Sequence, residues 1–274
     1  MVENNTAPAT PEGEKMLIRP AGTAPVSVSI SVSISLSRIA FAGKTILTDF
    51  NLTLEAGSLT CLLGPSGVGK TSILKSIAGI LPLEDGSEIR ANDGKNVRNR
   101  IAYMDQNDLL LPWATVLDNL LIAARLRGTK PDTARARRLL AQVGLDAAAN
   151  DLPHTLSGGM RQRVALARTL MEDAPVILVD EPFSALDTIT RHRLQALLVH
   201  LCKGRTILMI THDPMEALRL GNHIYVLAGD PVTLTAVDPG SNPAPRALTD
   251  PDLQPRFDEV LHLLGMTDAE GTDE

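Results

Sequence analysis

The glycine-rich octapeptide GPSGVGKT at residues 64–71 constrains the fold of this chain more than any other feature. The apolar run LTCLL precedes it and the helical pattern of SILKSIAGIL follows it, so the octapeptide joins a buried strand to a helix. Glycines allow the backbone angles at which successive N–H groups converge, and the start of a helix adds partial positive charge. The pattern therefore predicts an anion-binding loop at the carboxyl end of a strand.

The octapeptide also fits the phosphate-loop pattern G-x-x-x-x-G-K-[ST] in the strand–loop–helix context that the pattern requires. We expect Lys70 to reach the β- and γ-phosphates of a nucleotide and the Thr71 hydroxyl to ligate Mg²⁺. The alternative is a glycine turn followed by an exposed lysine. The predicted ATP-binding residues of this loop are Gly64, Pro65, Ser66, Gly67, Val68, Gly69, Lys70, Thr71 and Ser72.

A second feature is the pair of carboxylates, Asp180 and Glu181, at the end of the apolar run VILVD. A carboxylate buried without a partner is costly, so we expect a cation beside it. In phosphate-loop enzymes a strand that ends in an acid lies beside the phosphate-loop strand. Asp180 is therefore predicted to meet Mg²⁺ and Glu181 to polarise the attacking water. The alternative is a pair of acids that simply faces water.

Composition excludes several classes of protein. The formal net charge of −6 disfavours a protein that coats nucleic acid, so we expect no nucleic-acid partner. Two cysteines disfavour a disulfide framework and indicate a cytoplasmic chain. No run approaches the roughly 20 apolar residues that span a bilayer. The polar start, residues 1–24, is predicted to be a disordered tail rather than a signal peptide.

Strand and helix patterns alternate along most of the chain, which predicts a parallel sheet covered by helices. The alternation VSVSISVSISLS from Val26 indicates a half-buried strand, with low-complexity sequence as the alternative. A mostly helical stretch at about 107–165 interrupts the pattern and reads as an inserted subdomain. Residues 230–250 are predicted to be a Pro-rich loop, followed by a short helix at about 252–264.

The heptapeptide LSGGMRQ at residues 156–162 resembles the LSGGQ signature of the ATP-binding cassette (ABC) transporter ATPases. A serine hydroxyl and glycine amides at a helix start form a second anion site. In that family each ATP lies between the phosphate loop of one subunit and the signature of the other, so the resemblance implies a two-fold homodimer. Met160 replaces the signature glutamine, which removes no phosphate ligand. The implied signature residues are Leu156, Ser157, Gly158, Gly159 and Met160.

Four further positions match family motifs in the same order. Gln106 matches the loop glutamine that senses the γ-phosphate and metal, and His212, in ITHD, matches the switch histidine. Asp187, in SALD, matches the loop that crosses the dimer interface. Phe41 matches the aromatic that stacks on adenine, with a plain core role as the alternative. The resemblance thus implies catalytic Glu181, His212 and Gln106, and metal ligands Thr71, Gln106 and Asp180.

The resemblance covers about residues 30–230 and implies an α/β fold. The expected fold is a phosphate-loop NTPase core with a mostly parallel sheet, an antiparallel β subdomain and an inserted helical signature subdomain. We predict an ABC ATPase domain at 25–235, with the helical subdomain at about 107–165. The remaining C-terminal loop and short helix, 236–274, are predicted to be a strap or a dimer extension.

The segments LSGGMRQRVALAR and LLPWATVLDNL look like the nitrate/sulfonate/taurine branch of bacterial importers, which also includes carriers of thiamine-precursor pyrimidines. That branch implies an ATP-hydrolysing subunit at the cytoplasmic face of the membrane, a separate permease and a substrate-binding protein. Trp113 is either a permease anchor or a core residue. The alternatives are an exporter or lipid-extraction ATPase, and a soluble repair or translation ATPase, which the single cassette without inserts disfavours.

Overall fold

The structure, a computed structural model, describes residues 29–41 and 44–266. The side chains of Ala40, Phe41 and Lys44 are outside that description, and so is the predicted disordered tail at 1–24. The strands are β1 (Val32–Phe41), β2 (Lys44–Leu54), β3 (Leu59–Leu63), β4 (Glu88–Ala91), β5 (Ile101–Met104), β6 (Val176–Asp180), β7 (Thr206–Thr211), β8 (His223–Ala228) and β9 (Thr233–Val237). The helices are α1 (Lys70–Ile77), α2 (Val116–Leu126), α3 (Thr133–Gln142), α4 (Gly158–Met171), α5 (Thr188–Leu201), α6 (Pro214–Leu220) and α7 (Leu253–Leu263).

A six-stranded sheet in the order β5-β6-β7-β3-β8-β9 forms the centre of the molecule. Every neighbouring pair in it is parallel except β8 and β9. Strands β3, β6 and β7 are buried along their whole length, as expected when helices cover both faces of a parallel sheet. The predicted α/β fold with a mostly parallel sheet is confirmed.

The strand order corrects one prediction about the acid pair. Strand β6, which ends in Asp180, does not lie beside the phosphate-loop strand β3, because β7 is inserted between them. An apolar run shows that a strand is buried on both faces but carries no information about which strand lies next to it. The consequence is that β7, which ends directly before His212, separates the phosphate-loop strand from the strand that ends in the acid pair.

Strand β9 corrects a second prediction, that residues 230–250 form only a loop. Its five residues pair antiparallel with β8, with Ala228 opposite Thr233, so β9 is an edge strand of the central sheet. Prolines at positions 231 and 239 bracket this short segment, and they dominated the sequence pattern. The pairing covers the edge of β8, which would otherwise present unpaired backbone groups.

A three-stranded antiparallel sheet in the order β2-β1-β4 packs over the central sheet. The Ser-rich alternation behaves as predicted within the described residues, since Val32, Ile34 and Leu36 are buried whereas Ser33 and Ser35 are exposed. The buried residues of this sheet pack with α1 and with one face of the central sheet. The other face of the central sheet packs against α2 to α6. The phosphate-loop helix α1 therefore lies between the two sheets.

The helical segment and the C-terminal segment both pack on this core. Helices α2, α3 and α4 contact one another, and α4 continues past residue 165 toward β6. In the C-terminal segment the guanidinium of Arg246 is buried and donates to the carbonyls of Leu218 and Gly221, each at 2.8 Å. Helix α7 then packs against α6 and β8. The segment after β9 therefore contacts the end of α6 through Arg246 and packs on α6 and β8 through α7.

Candidate nucleotide-binding and catalytic site

The phosphate loop connects β3 to α1 along a path that only glycine can follow at several points. Gly67 and Gly69 have φ values of 83° and 104°, in the left-handed region. A Cβ atom on Gly64 would lie 2.5 Å from the Leu227 carbonyl oxygen, and one on Gly69 would lie 2.8 Å from a methyl carbon of Ile46. The tight curve around the start of α1 thus depends on these glycines. Backbone N–H groups at the helix start are suited to phosphate oxygens.

Lys70 is the first residue of α1 and its side chain is almost fully buried at the loop. Its ammonium donates to the carbonyl oxygens of Gly64 at 2.7 Å and Pro65 at 2.9 Å. Burial lowers the pKa of Lys70, while the nearby carboxylates of Glu181 and Asp180 oppose that shift. A fixed positive charge therefore lies against the loop, between its backbone and the acid pair.

Asp180 is the last residue of β6 and is only 1% exposed. Burial raises its pKa, the neighbouring Thr71 side chain lowers it, and Glu181 and Asp105 raise it further. Its Oδ2 atom is buried and has no hydrogen-bond partner among residues 29–41 and 44–266. A carboxylate oxygen without a partner beside a hydroxyl is a suitable ligand pair for a hard divalent cation. The side chain reaches Thr71 across β7 because α1 begins at the carboxyl edge of the sheet.

The donor set fits Mg²⁺ better than a metal held entirely by protein. Among residues 29–41 and 44–266 no group of three or more His, Cys, Asp or Glu side chains is arranged to hold a metal ion. Mg²⁺ is commonly held by one or two protein oxygens while nucleotide phosphates and water complete its shell. Thr71 and Asp180 meet that requirement. Gln106, the third predicted ligand, instead hydrogen-bonds Glu181 in this structure.

Three polar side chains meet at the carboxyl edge of the central sheet. Glu181 accepts a hydrogen bond from Gln106 Nε2 at 3.1 Å, and its other oxygen lies 3.1 Å from His212 Nδ1. Gln106, Glu181 and His212 follow the adjacent parallel strands β5, β6 and β7, whose carboxyl ends line up. The structure thus brings together the three residues that were predicted to be catalytic. A carboxylate held on both sides is oriented to accept a proton from water.

The backbone of Glu181 is strained and is held by several hydrogen bonds. Its φ of 46° lies in the left-handed region, which is unfavourable for a residue with a side chain. Its N–H donates to Ile210 O at 3.0 Å, and its carbonyl accepts from Ser184 Oγ at 3.2 Å and from Gln162 Nε2 at 2.9 Å. Gln162 is a contributor that sequence reasoning missed. It stands two positions after Met160, and nothing in the pattern indicates where its amide points.

The signature residues form the start of α4, next to the loop that contains Asp187. Ser157 caps the helix by accepting from the Met160 N–H at 3.3 Å. A Cβ on Gly159 would lie 3.1 Å from Ala185 O, so the close approach requires glycine. Asp187 in turn caps α5 by accepting from the Thr190 N–H at 3.0 Å. Within the described part of the chain no hydrogen bond joins residues 157–159 to the phosphate loop.

The structure describes the side chain of Trp113 but not that of Phe41. Phe41 ends β1 and pairs with Lys44 through the backbone, and because its side chain is outside the description its contact with adenine stays a prediction. Trp113 is 76% exposed, so the alternative that it is a core residue is wrong. Leu109, on the same loop, is 60% exposed. An apolar surface therefore follows Gln106.

Comparisons with known proteins find similarity both in sequence and in fold. A family profile described as ABC transporter matches residues 47–184. An ABC transporter ATP-binding protein of Haemophilus influenzae, described as uncharacterized, is 42% identical over 233 residues, which cover 83% of this chain and 95% of the relative. An aliphatic sulfonates import ATP-binding protein of Pseudomonas savastanoi pv. phaseolicola is 41% identical over 222 residues, which cover 79% and 88%.

The solved structures that resemble this chain include a dimeric ATP-binding cassette, MJ0796, in a post-hydrolysis state bound to ADP and Pi. The TM-score is 0.63 and the sequence identity is 29%, with 71% of this chain and 93% of the cassette covered. No helix within residues 29–41 and 44–266 is both long enough and apolar enough to span a membrane.

Proposed function

Because the chain belongs to the ABC transporter family, we propose that it is the ATP-hydrolysing subunit of an importer of aliphatic sulfonates or related small anions. The observation that carries the catalytic half of this proposal is the Glu181 carboxylate, which is held between Gln106 and His212 beside the phosphate loop. The substrate half is supported by the sulfonate-import relatives at about 40% identity. This subunit does not touch the transported solute, so its own residues do not select it.

The chemistry follows from the positions of these side chains. Loop N–H groups and Lys70 bind the β- and γ-phosphates of ATP, and Thr71 and Asp180 would hold Mg²⁺, which neutralises charge that develops on the phosphate oxygens. Glu181 accepts a proton from water as the water oxygen attacks the γ-phosphorus. The bond to the bridging oxygen then breaks, and ADP leaves with that oxygen. His212 and Gln106 hold Glu181 and the water in line.

The resemblance to a dimeric ATP-binding cassette supports a homodimer. One subunit binds ATP at its phosphate loop, and Ser157 of the partner subunit and Gly159 of the partner subunit close over the γ-phosphate. Such a contact is isologous and makes two identical sites. Hydrolysis removes the phosphate that bridges the subunits, so the dimer reopens and moves the permease. Phe41 would supply the surface for adenine.

We expect Asp180→Asn to lower ATP hydrolysis about 100-fold and to raise the thermal midpoint of the ligand-free protein by about 2–4 °C. The folded protein raises the pKa of Asp180 above its unfolded value, so the ionised form destabilises the fold once the pH exceeds that unfolded value. A neutral side chain of the same shape removes this cost. Scanning calorimetry at neutral and acidic pH measures the difference, which shrinks as the pH falls and Asp180 takes up its proton.

The same variant tests the metal role without an activity assay. Mg²⁺ with ATP stabilises the wild-type protein against heat by binding the folded state, and Asp180→Asn should lose most of the Mg²⁺-dependent part of that stabilisation. Asp173→Asn is the matched control, because Asp173 is an exposed aspartate that pairs with Arg205. An equal Mg²⁺ response in wild type and Asp180→Asn would contradict the assignment.

We expect Trp113→Ala to weaken the association with the permease at least tenfold and to leave the ATPase activity of the isolated chain unchanged. Exposed aromatic residues that enter a partner's groove or receive its helix commonly dominate binding. Titration of the chain into permease-containing vesicles measures the association. Leu126→Ala is the matched control, since Leu126 is an equally exposed apolar residue on α2. A loss of ATPase activity in the isolated Trp113→Ala variant would contradict the proposal that Trp113 contacts the permease.

Peripheral attachment to the cytoplasmic face of the membrane, through a permease served by a substrate-binding protein, completes the proposal. The deciding experiment is an affinity pull-down of the tagged chain from native membranes in mild detergent, with the partners identified by mass. We expect a polytopic permease, and aliphatic sulfonate added with the binding protein should stimulate ATP hydrolysis by the purified complex. A permease without a binding protein would favour an exporter, and the absence of any membrane protein would overturn the transport role.

A further inference from the structure

Gln162 lies one turn into α4 from the signature glycines and is only 5% exposed. Polar side chains that are this deeply buried require partners, since an unpaired amide costs free energy. Among the described residues, every hydrogen bond of its side chain goes to the loop that begins at Glu181. No atom of Gln162 hydrogen-bonds a residue of the phosphate loop within the described ranges.

The amide of Gln162 hydrogen-bonds three residues of this loop. Its Nε2 donates to the Glu181 carbonyl oxygen at 2.9 Å and to Ser184 Oγ at 3.3 Å, and its Oε1 accepts from the Ala185 N–H at 2.9 Å. These three hydrogen bonds, called here the Gln162 clamp, thus reach both sides of the turn that follows β6. That turn contains the strained backbone of Glu181, whose φ is 46°. A strained conformation persists only where surrounding contacts hold it.

The clamp also connects the signature to the carboxylate within one subunit. Gly159 is on the same helix, one turn before Gln162, and its backbone packs against Ala185. The start of α4 and residues 181–185 are therefore in direct contact. Any displacement of the signature when it meets the partner's ATP would be transmitted to Glu181 through this short path.

We infer that Gln162 is a positioning residue for ATP hydrolysis, which holds the Glu181 backbone so that its carboxylate faces the attacking water. The inference rests on the proposed role of Glu181 as the base. Within the described residues Gln162 makes no hydrogen bond to the phosphate loop, so we expect it to act on the turnover step and not on ATP binding. It also links signature engagement to the carboxylate of its own subunit.

Gln162→Met tests this inference because methionine fills similar volume and makes none of the three hydrogen bonds. We expect kcat for ATP to fall about 10- to 100-fold at saturating ATP, with KM and the ATP dissociation constant within twofold of wild type. We expect kcat of Gln162→Glu to fall at least as far, because a carboxylate has no N–H to donate to the Glu181 carbonyl oxygen. Rates are measured by phosphate release at protein concentrations at which the ATP-bound protein is dimeric.

Thr169→Val is the matched control on the same helix. Thr169 is buried and, among the residues that the structure describes, its hydroxyl bonds only to Ala165 O of its own helix, so the variant should keep the wild-type kcat. The inference is overturned if folded Gln162→Met keeps a wild-type kcat, if ATP affinity falls together with kcat, or if Thr169→Val loses as much activity. Failure of the proposed function would look different, because Glu181→Gln would then retain activity.

Discussion

Glu181→Gln is expected to hydrolyse ATP about 1,000-fold more slowly than the wild-type protein while it still binds ATP and dimerises. A general base contributes a factor of about 10² to 10⁴ to the rate, and an amide cannot accept the proton from water. Glutamine has the size of glutamate and can still hydrogen-bond Gln106, so the geometry of the site is kept. Because the γ-phosphate stays in place, the ATP-bound dimer should accumulate.

Two measurements separate these effects. Phosphate release gives the rate, and light scattering after size-exclusion chromatography in ATP gives the dimer fraction. Glu172→Gln is the matched control, because Glu172 is a glutamate whose side chain pairs with Arg127 at 2.7 Å, away from the carboxyl edge of the sheet. A Glu181→Gln variant that turns over at the wild-type rate would show that another group activates the water.

The convergence of Gln106, Glu181 and His212 could be anticipated because each follows an apolar strand. Parallel strands place their carboxyl ends at one edge, so residues just beyond them share that edge whatever the order of the strands. The buried strands themselves were predictable for the same reason, since runs such as VILVD and TILMIT are apolar on both faces. Local pattern was therefore sufficient for the elements and for the edge that carries the site.

Strand order and the support of Glu181 could not be anticipated in this way. The insertion of β7 between β3 and β6 depends on packing between residues far apart in sequence, which periodicity does not report. The contacts of Gln162 could not be predicted for a related reason. A glutamine on a buried helix face has many possible partners, and only the folded geometry shows that its amide spans the turn from Glu181 to Ala185. Strand β9 was not predicted because the prolines on either side of it indicated a loop.

Lys70→Ala is expected to weaken ATP binding about 100-fold, and hydrolysis at micromolar ATP should fall with it. The Lys70 ammonium is held against the phosphate loop by the carbonyls of Gly64 and Pro65, so it is already placed where the β- and γ-phosphates would lie. A hydrogen bond between charged groups contributes about 1.5–3 kcal/mol, which corresponds to about 10- to 150-fold in affinity. Fluorescent ATP titrated against the purified variant measures this loss.

Lys75→Ala shows whether the loss comes from contact or merely from removing a positive charge on α1. Lys75 lies on the same helix, but its ammonium pairs with Asp105 at 3.2 Å rather than with the loop. Salt screening limits the influence of a half-exposed charge at a distance, so the Lys75 variant should bind ATP within about threefold of wild type. Unchanged ATP affinity in Lys70→Ala would refute the phosphate role of Lys70. Equal losses in both variants would instead assign the effect to the field of the helix.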